Sequence, residues 1–185
     1  KALNPTVLDP FAGVGTTLVE GIRRRCNVVG FEINPYAALA CQVKLEAIYH
    51  DPALIRQAAE RIELELRSRL RHNGDRPNSQ PPPGFRTRDP FFSPRIEKQV
   101  LLAKDFIAEE KEGWLRRLIY LALGAMMVGV SNYTYEPSLG RRVAAGKSVI
   151  TDADLPRILR EKLTRMAHDI EAWQVEYGKA RRRPV

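Results

Sequence analysis

Asp9-Pro10-Phe11-Ala12-Gly13-Val14-Gly15-Thr16-Thr17 is the stretch that decides the fold. The short apolar and β-branched run Thr6-Val7-Leu8 precedes it and is typical of a buried strand, and the residues from Leu18 to Arg25 have a helical pattern. A bend between a strand and a helix lies at the carboxyl end of the strand, where open α/β sheets bind ligands. Gly13 and Gly15 permit positive φ angles and remove side chains there, so a ligand can approach the backbone closely.

The alternation of strand and helix continues after this bend. Asn27 to Phe31 is predicted to form a second strand, and Asn34-Pro35 opens a helix that continues to about His50, with the proline in its first turn. Strand, helix, strand, helix is the opening of a parallel, doubly wound sheet. The predicted fold class is therefore α/β, with a partial parallel sheet.

Residues 51–178 are predicted to form a large, mainly helical insertion. Their apolar residues recur at helical spacing, and the only further strand that the pattern allows is Ser148-Val149-Ile150. The predicted helices span Ala53 to Arg71, a segment capped by Ser93, about Trp114 to Val130, and a last segment capped by Asp152. The stretch from His72 to Gly84 is rich in Asn, Gly, Ser and Pro and is predicted to be an exposed linker.

Glu32 adds a carboxylate at the end of the second strand, where it can accept hydrogen bonds from both hydroxyls of a ribose. The helix after Gly15 would direct its free N–H groups toward an anionic group, such as the carboxylate of a methionine moiety. Thr17-Leu18 replace the third glycine of the dinucleotide fingerprint, which argues against a pyrophosphate turn. The pattern indicates a nucleoside site, although the same elements also occur in α/β proteins that bind no nucleoside.

Two motifs resemble those of the amino-methylating DNA methyltransferases, which modify adenine N6 or cytosine N4. Asp9 to Thr17 resembles their first motif, and Gly30-Phe31-Glu32-Ile33-Asn34-Pro35 resembles their second, with Glu32 where Asp is commoner. The resemblance implies a Rossmann-like methyltransferase fold and S-adenosyl-L-methionine as the cofactor. The residues that it implies for cofactor binding are Asp9, Phe11, Ala12, Gly13, Gly15, Thr16, Thr17, Glu32, Ile33 and Asn34.

The resemblance implies DNA as the substrate and leaves two alternatives open. RNA base methyltransferases carry similar motifs, and a non-catalytic nucleic-acid-binding module of a modification complex is a different class of function. A paired restriction enzyme is a further partner that the resemblance allows. Activity on a duplex oligonucleotide versus a transcript would separate the first two, and a catalytic motif after Val185 would separate an enzyme from the non-catalytic module.

These enzymes have another signature, Asp/Asn/Ser-Pro-Pro-Tyr/Phe, which holds the target amine and stacks on the flipped base. The nearest match here is Asp89-Pro90-Phe91-Phe92, which lacks the second proline and follows Arg86-Thr87-Arg88 rather than an apolar strand. We interpret it as a turn before Ser93. Since the chain begins at Lys1, we expect it to be a piece of a longer protein, with its catalytic residues beyond Val185.

A net charge of +8, from 30 Lys and Arg against 22 Asp and Glu, favours an anionic partner. The segment from Ser131 to Arg142 is polar, aromatic and basic. Arg141, Arg142 and Lys147 are predicted to contact phosphates, and Tyr133 and Tyr135 to stack on a base or line the cofactor pocket. The alternative for this segment is a packed surface loop with solvated arginines. The predicted divisions are a cofactor-binding segment 1–50, a nucleic-acid-facing helical segment 51–178 and a solvated basic tail 179–185.

Several classes of protein are excluded by residue types and spacing. Cys26 and Cys41 form no CxxC pair, which favours a reducing cytosol. The histidines lack metal-ligand spacing, so no metal site is predicted; they are His50, His72 and His168. The longest apolar run, Leu118 to Val130, is too short for a bilayer, and no signal segment opens the chain. A cytoplasmic protein without a membrane partner is expected.

Overall fold

A computed structural model describes residues 4–71, 76–84, 87–135 and 138–178. Within them the chain is mixed α/β, as predicted, with one small parallel sheet, one short hairpin and six α-helices. In chain order the elements are β1 (Thr6–Asp9), α1 (Thr16–Arg23), β2 (Asn27–Gly30), α2 (Pro35–Ala47), α3 (Pro52–Arg71), α4 (Pro94–Glu109), α5 (Gly113–Met126), β3 (Tyr133–Thr134), β4 (Gly140–Arg141) and α6 (Leu155–Tyr177).

Strands β1 and β2 are parallel, with Thr6 opposite Asn27 and Asp9 opposite Gly30. Both strands therefore end at the same edge, which places the residues that follow them side by side. Helix α1 crosses one face of the sheet so closely that a Cβ on Gly21 would lie 2.4 Å from Val28 Cγ1. The helix and the sheet can approach this closely because position 21 has no side chain.

Helices α2 to α6 share a hydrophobic core, and α3 packs along α6. The predicted stripe of α3 is buried at Ile55, Ala58, Ala59, Ile62 and Leu66, with Leu70 at its partly buried end. The predicted stripe of α6 is fully buried at Leu155, Leu159 and Leu163. Helix α2 contributes Val43 and Ala47 to this core. Helix α2 thus packs with the helices that follow it in the chain. The predicted division at residue 50 stays a prediction.

The structure corrects the predicted end of the apolar helix. Helix α5 ends at Met126 instead of continuing to Val130, and a short 3-10 helix, Val128–Val130, follows. The backbone hydrogen bonds change from an α-helical to a 3-10 pattern, in which an N–H donates to the carbonyl three residues earlier. The first of them runs from the Met127 N–H to the Gly124 carbonyl (3.2 Å). Such tightening is a common way for a helix to satisfy its last carbonyls.

Two further predictions in this region were wrong. Asp154, not Asp152, caps α6, because its carboxylate accepts from the Arg157 N–H (3.3 Å). Ser148-Val149-Ile150 forms no strand, since the Ile150 N–H donates to the side chain of Asn132 instead of to a neighbouring strand. The hairpin of β3 and β4 was not predicted, because strands of two residues are too short to show an alternating pattern.

Some predictions fall on residues outside the described ranges. The basic tail 179–185, His72, Arg86 and residues 136–137 lie there, as does part of the predicted linker. The described part of that linker, 76–84, has no helix or strand.

Candidate functional site

The bend between β1 and α1 is held by hydrogen bonds of its own backbone. The Phe11 N–H donates to the Asp9 carboxylate (3.0 Å), and the Gly15 N–H donates to the Ala12 carbonyl (2.8 Å). The Ala12 N–H donates to the Phe31 carbonyl (2.9 Å), which joins the bend to the end of β2. Asp9 therefore shapes the bend, and its direct contact with a ligand stays a prediction.

Both glycines of the bend have a left-handed backbone, with φ of 53° at Gly13 and 83° at Gly15. A Cβ on Gly13 would have no neighbouring atom within 4 Å, so the space over the bend is open. A Cβ on Gly15 would lie 3.0 Å from Sγ and 3.2 Å from Cα of Cys41. Position 13 therefore favours glycine by its conformation, and position 15 by its conformation and by close packing against α2.

Helix α1 begins at Thr16 without a side chain that caps its first turn. The first N–H groups of a helix lack partners within the helix, and the helix dipole places partial positive charge at the same end. Thr16 and Thr17 are both exposed, so this end is accessible. The start of α1 is thus suited to binding an anionic group that lies over the open bend.

Two side chains of α2 hold the carbonyls of the bend from below. The buried Cys41 thiol donates to the Gly13 carbonyl (3.1 Å), and the Lys44 ammonium donates to the Val14 carbonyl (2.7 Å). These bonds fix the orientation of the peptide groups on either side of Val14. Sequence reasoning missed both residues, although their spacing of three on a helix places them on one face of α2.

Glu32 lies beside the bend, at the end of β2. Its Oε1 accepts from the Asn34 N–H (2.7 Å), and within the described residues its second oxygen, Oε2, has no hydrogen-bond partner. Asn34 caps α2, because its side chain accepts from the N–H groups of Tyr36 (2.9 Å) and Ala37 (3.2 Å). The carboxylate is therefore fixed at one oxygen and has the other available for a ligand hydroxyl. The predicted ligand contact of Asn34 stays a prediction.

The charged side chains of the site influence the pKa of the Cys41 thiol. Burial raises the pKa of the Cys41 thiol, the nearby ammonium of Lys44 opposes this shift, and the carboxylates of Glu32 and Asp9 add to it. The hydrogen bond from the Ala12 N–H to the Phe31 carbonyl places Glu32, the next residue, beside the bend as well. The structure thus brings together the predicted bend and the predicted carboxylate.

The raised pKa of Cys41 gives a test of this arrangement. Alkylation requires the thiolate, so iodoacetamide at pH 8 is expected to modify buried Cys41 roughly tenfold or more slowly than the partly exposed Cys26. Peptide mass spectrometry over a time course measures both rates. In urea the two rates should become similar, and equal rates in the native protein would contradict a buried Cys41 under the bend.

Large apolar side chains are exposed around the same sheet edge. Phe11 is 89% exposed, Phe31 is 61% exposed and Ile33 is 97% exposed. Large exposed apolar groups near a polar site favour contact with a ligand surface such as a flat ring. The predicted role of Phe11 and Ile33 in cofactor binding stays a prediction. Phe31, which was not predicted, is a further candidate because its ring is exposed at the same edge.

The basic and aromatic segment forms the β3–β4 hairpin, which packs on the Asp89-Pro90-Phe91-Phe92 turn. The buried Tyr133 ring stacks on Phe91 (centroids 5.1 Å apart), and its hydroxyl donates to the Asp89 carbonyl (3.4 Å). Arg141 forms an ion pair with the Asp89 carboxylate (3.0 Å). The interpretation of residues 89–92 as a turn before the Ser93 cap is confirmed.

Most of the predicted nucleic-acid contacts therefore have partners within the protein. Arg142 Nε donates to the Ser148 carbonyl (2.8 Å), and Lys147 Nζ donates to the Thr134 hydroxyl (3.5 Å). Tyr135, by contrast, is 66% exposed. A nucleic-acid role for these residues stays a prediction, and Tyr135 is the aromatic ring best placed to stack on a base.

Tyr36 holds the start of α2 against α5. Its ring packs against Gly124 of α5, where a Cβ would lie 2.4 Å from Tyr36 Cε2, and its hydroxyl donates to the Leu121 carbonyl (3.1 Å). Burial raises the pKa of Tyr36, and the nearby Tyr135 raises it further. Tyr36 itself lies in the first turn of α2, directly after Glu32 and Asn34. Sequence reasoning missed Tyr36, for which the glycine inside an apolar helix was the available signal.

Within the described ranges no group of three or more His, Cys, Asp or Glu side chains is arranged to hold a metal ion. None of the helices described is both long and apolar enough to cross a membrane.

The chain is similar to a methyltransferase. The type II methyltransferase M.MvaI of Kocuria varians is 30% identical to it over 165 residues, which cover 85% of this chain and 36% of that protein. The chain thus spans about a third of the length of this relative. No family model matches the chain, and no solved structure matches it.

The extent of the likeness bears on the helical segment. An alignment that covers 85% of the chain has to include most of residues 51–178. The likeness therefore extends into the helical segment and does not rest on the glycine bend alone.

Proposed function

We propose that this chain is the S-adenosyl-L-methionine-binding part of a methyltransferase that modifies an exocyclic amino group of a DNA base. The observation that carries the proposal is the open glycine bend at an uncapped helix start, with Glu32 beside it. The 30% identity with a type II methyltransferase supports the same reaction class.

The residues present fit the cofactor group by group. The start of α1 suits the carboxylate of the methionine part, and the unpartnered Oε2 of Glu32 suits a ribose hydroxyl. The exposed rings of Phe11 and Phe31, together with Ile33, suit the adenine ring. When bound, S-adenosyl-L-methionine supplies a sulfonium-bound methyl group, whose transfer to nitrogen leaves a neutral thioether.

The chain's own contribution is to position the ligand. Cys41 and Lys44 fix the carbonyls of the bend, so the N–H groups of α1 do not have to reorganise when the ligand binds. Such fixed geometry and electrostatics provide a large part of the rate in transfer reactions.

The test combines binding and transfer. We expect calorimetry to show one site for S-adenosyl-L-methionine on this chain, without competition by ATP or NAD. The intact protein is expected to transfer labelled methyl groups from the cofactor to unmethylated genomic DNA. Nucleoside mass spectrometry should then detect N6-methyladenine or N4-methylcytosine. A product of 5-methylcytosine would contradict the amino-group assignment, and the absence of binding would contradict the proposal as a whole.

Two other functions remain as outcomes of this test. Label in RNA transcripts, and not in DNA, would identify an RNA base methyltransferase. Binding of cofactor and DNA by the intact protein without any transfer would identify a non-catalytic module. The exposure of Tyr135 favours a nucleic-acid substrate in each case, because an exposed aromatic ring can stack on a base.

A further inference from the structure

A basic cleft lies where the end of α3 meets the beginnings of α4 and α6. It has a volume of about 680 Å³. Its charged lining consists of Arg67 and Arg71 from α3, Arg95 and Lys98 from α4, and Asp152 and Asp154 from the segment that leads into α6. None of them belongs to the basic and aromatic segment from Ser131 to Arg142.

The cleft has an excess of positive charge, since four cationic side chains face two carboxylates. Asp154 is paired with Arg67 (2.8 Å), and Asp152 is paired with Arg95 (3.0 Å). Although burial works against it, hydrogen bonds from Arg67 and from the Arg157 backbone hold the pKa of Asp154 below its usual value. Both carboxylates are thus neutralised by their partners.

The excess charge belongs to Arg71 and Lys98. Neither forms an ion pair with any residue in the described ranges. They come from different helices, α3 and α4, and Arg71 is exposed whereas Lys98 is partly exposed. Two cations on separate helices around an open cleft suit a chain of phosphates better than one enclosed small anion.

Hydrogen bonds join this cleft to the surface that carries Tyr135. Ser93, which caps α4, donates its hydroxyl to the Thr151 carbonyl (2.7 Å), directly before Asp152. Asn132, next to β3, accepts from the Ile150 N–H (2.9 Å) and donates its own N–H to the Phe91 carbonyl (2.8 Å). The cleft and the β3–β4 hairpin therefore lie at the same end of the molecule.

The orientation of α2 and α5 shows where this end of the molecule lies relative to Glu32. The two helices are antiparallel: Trp114 at the start of α5 stacks on His50, after the end of α2, and Gly124 near the end of α5 packs on Tyr36 at the start of α2. Since α2 begins beside Glu32, the hairpin and the cleft lie toward the cofactor end.

We infer that the cleft of Arg71 and Lys98 binds the phosphate backbone of duplex DNA outside the base that is methylated. This inference rests on the proposed function and adds a contact surface to it. Phosphate contacts give affinity and orientation without reading sequence. Arg71 and Lys98 would anchor the duplex on one side, and Tyr135 would lie nearer the reacting base.

The experiment compares an Arg71→Ala/Lys98→Ala variant of the intact protein with the parent on a nonspecific 30-base-pair duplex. Each phosphate contact contributes about 0.9 to the slope of log affinity against log salt. Loss of both contacts is expected to lower this slope by about 1.8 and the affinity by about tenfold or more at low salt. The affinity for S-adenosyl-L-methionine should not change.

The matched control is Lys111→Ala/Arg116→Ala, which removes two exposed charges at the opposite end, near the start of α5. The control should keep the parental slope, and an Arg71→Lys/Lys98→Arg variant, which keeps both charges, should as well. An equal loss in the control, or an unchanged slope in the alanine variant, would overturn the inference. If the parent bound cofactor but neither DNA nor RNA, the proposed function would fail instead, so the two failures are distinguishable.

Discussion

Replacing Gly15 with alanine is expected to lower the free energy of unfolding by roughly 2–4 kcal/mol. Two costs add up. A side chain at a φ of 83° is strained, and its Cβ would lie 3.0 Å from Sγ and 3.2 Å from the backbone Cα of Cys41. Backbone atoms of α2 cannot move as easily as the end of a flexible side chain, so the bend itself has to shift.

The same substitution is expected to weaken S-adenosyl-L-methionine binding by roughly 10- to 100-fold, because a shifted bend loses at least one hydrogen bond to a charged ligand group. Denaturant unfolding measures the stability, and calorimetry well below the melting temperature measures the affinity.

Gly146→Ala is the matched control for the Gly15 variant. Gly146 has a similar φ of 70°, but no atom lies within 4 Å of its Cβ position. It should lose about 1 kcal/mol of stability from strain alone and keep the parental affinity for the cofactor. If Gly15→Ala were destabilised but bound S-adenosyl-L-methionine as tightly as the parent, the ligand would not lie on the bend.

The bend and the sheet could be predicted because their causes are local. Gly13 and Gly15 are needed for the backbone conformation that they adopt, and a strand with a helix after it shows in the hydrophobic pattern. Glu32 follows from the same logic, since parallel strands end at one edge. These parts of the candidate site depend on neighbours within a few residues of each other.

The support beneath the bend could not be predicted in this way. Cys41 and Lys44 lie about thirty residues from the carbonyls that they bind, and their role depends on how α2 packs under the bend. A cysteine and a lysine on a helix are too common for their residue types to indicate such a contact. The hydrophobic pattern predicts which face of a helix is buried, but not which part of the protein packs against that face.

The segment from Ser131 to Arg142 shows that residue types alone do not predict which side chains are available to a ligand. Tyr133 and Arg141 are residue types that bind nucleic acids, yet Phe91 and Asp89, more than forty residues away, occupy them here. Sequence alone does not distinguish a ring that faces solvent from one that packs inside. The exposure of Tyr135, and the basic cleft formed by three helix ends, became visible only from the packing.

Glu32→Ala is expected to weaken binding of S-adenosyl-L-methionine by roughly 10- to 100-fold, since a hydrogen bond to a charged group contributes about 1.5–3 kcal/mol. Glu32→Gln should have a smaller effect of about tenfold or less, because its carbonyl oxygen can still accept from the Asn34 N–H, which now bonds Oε1 (2.7 Å). The free energy of unfolding should change little in the glutamine variant, so its loss of affinity would reflect a lost contact with the ligand. Calorimetry with S-adenosylhomocysteine gives the same comparison without turnover.

A ribose-modified ligand makes the assignment of Glu32 specific. The parent should bind S-adenosylhomocysteine more tightly than its 2′-deoxy counterpart, whereas Glu32→Ala should bind the two with similar affinity. The control is Glu60→Gln on the exposed surface of α3, which should discriminate as the parent does. If Glu32→Ala still discriminated between the two ligands, the carboxylate would not bind the ribose. The proposal would then depend on the bend alone, where a glycine turn and a helix start would not distinguish a nucleoside from a simple anion.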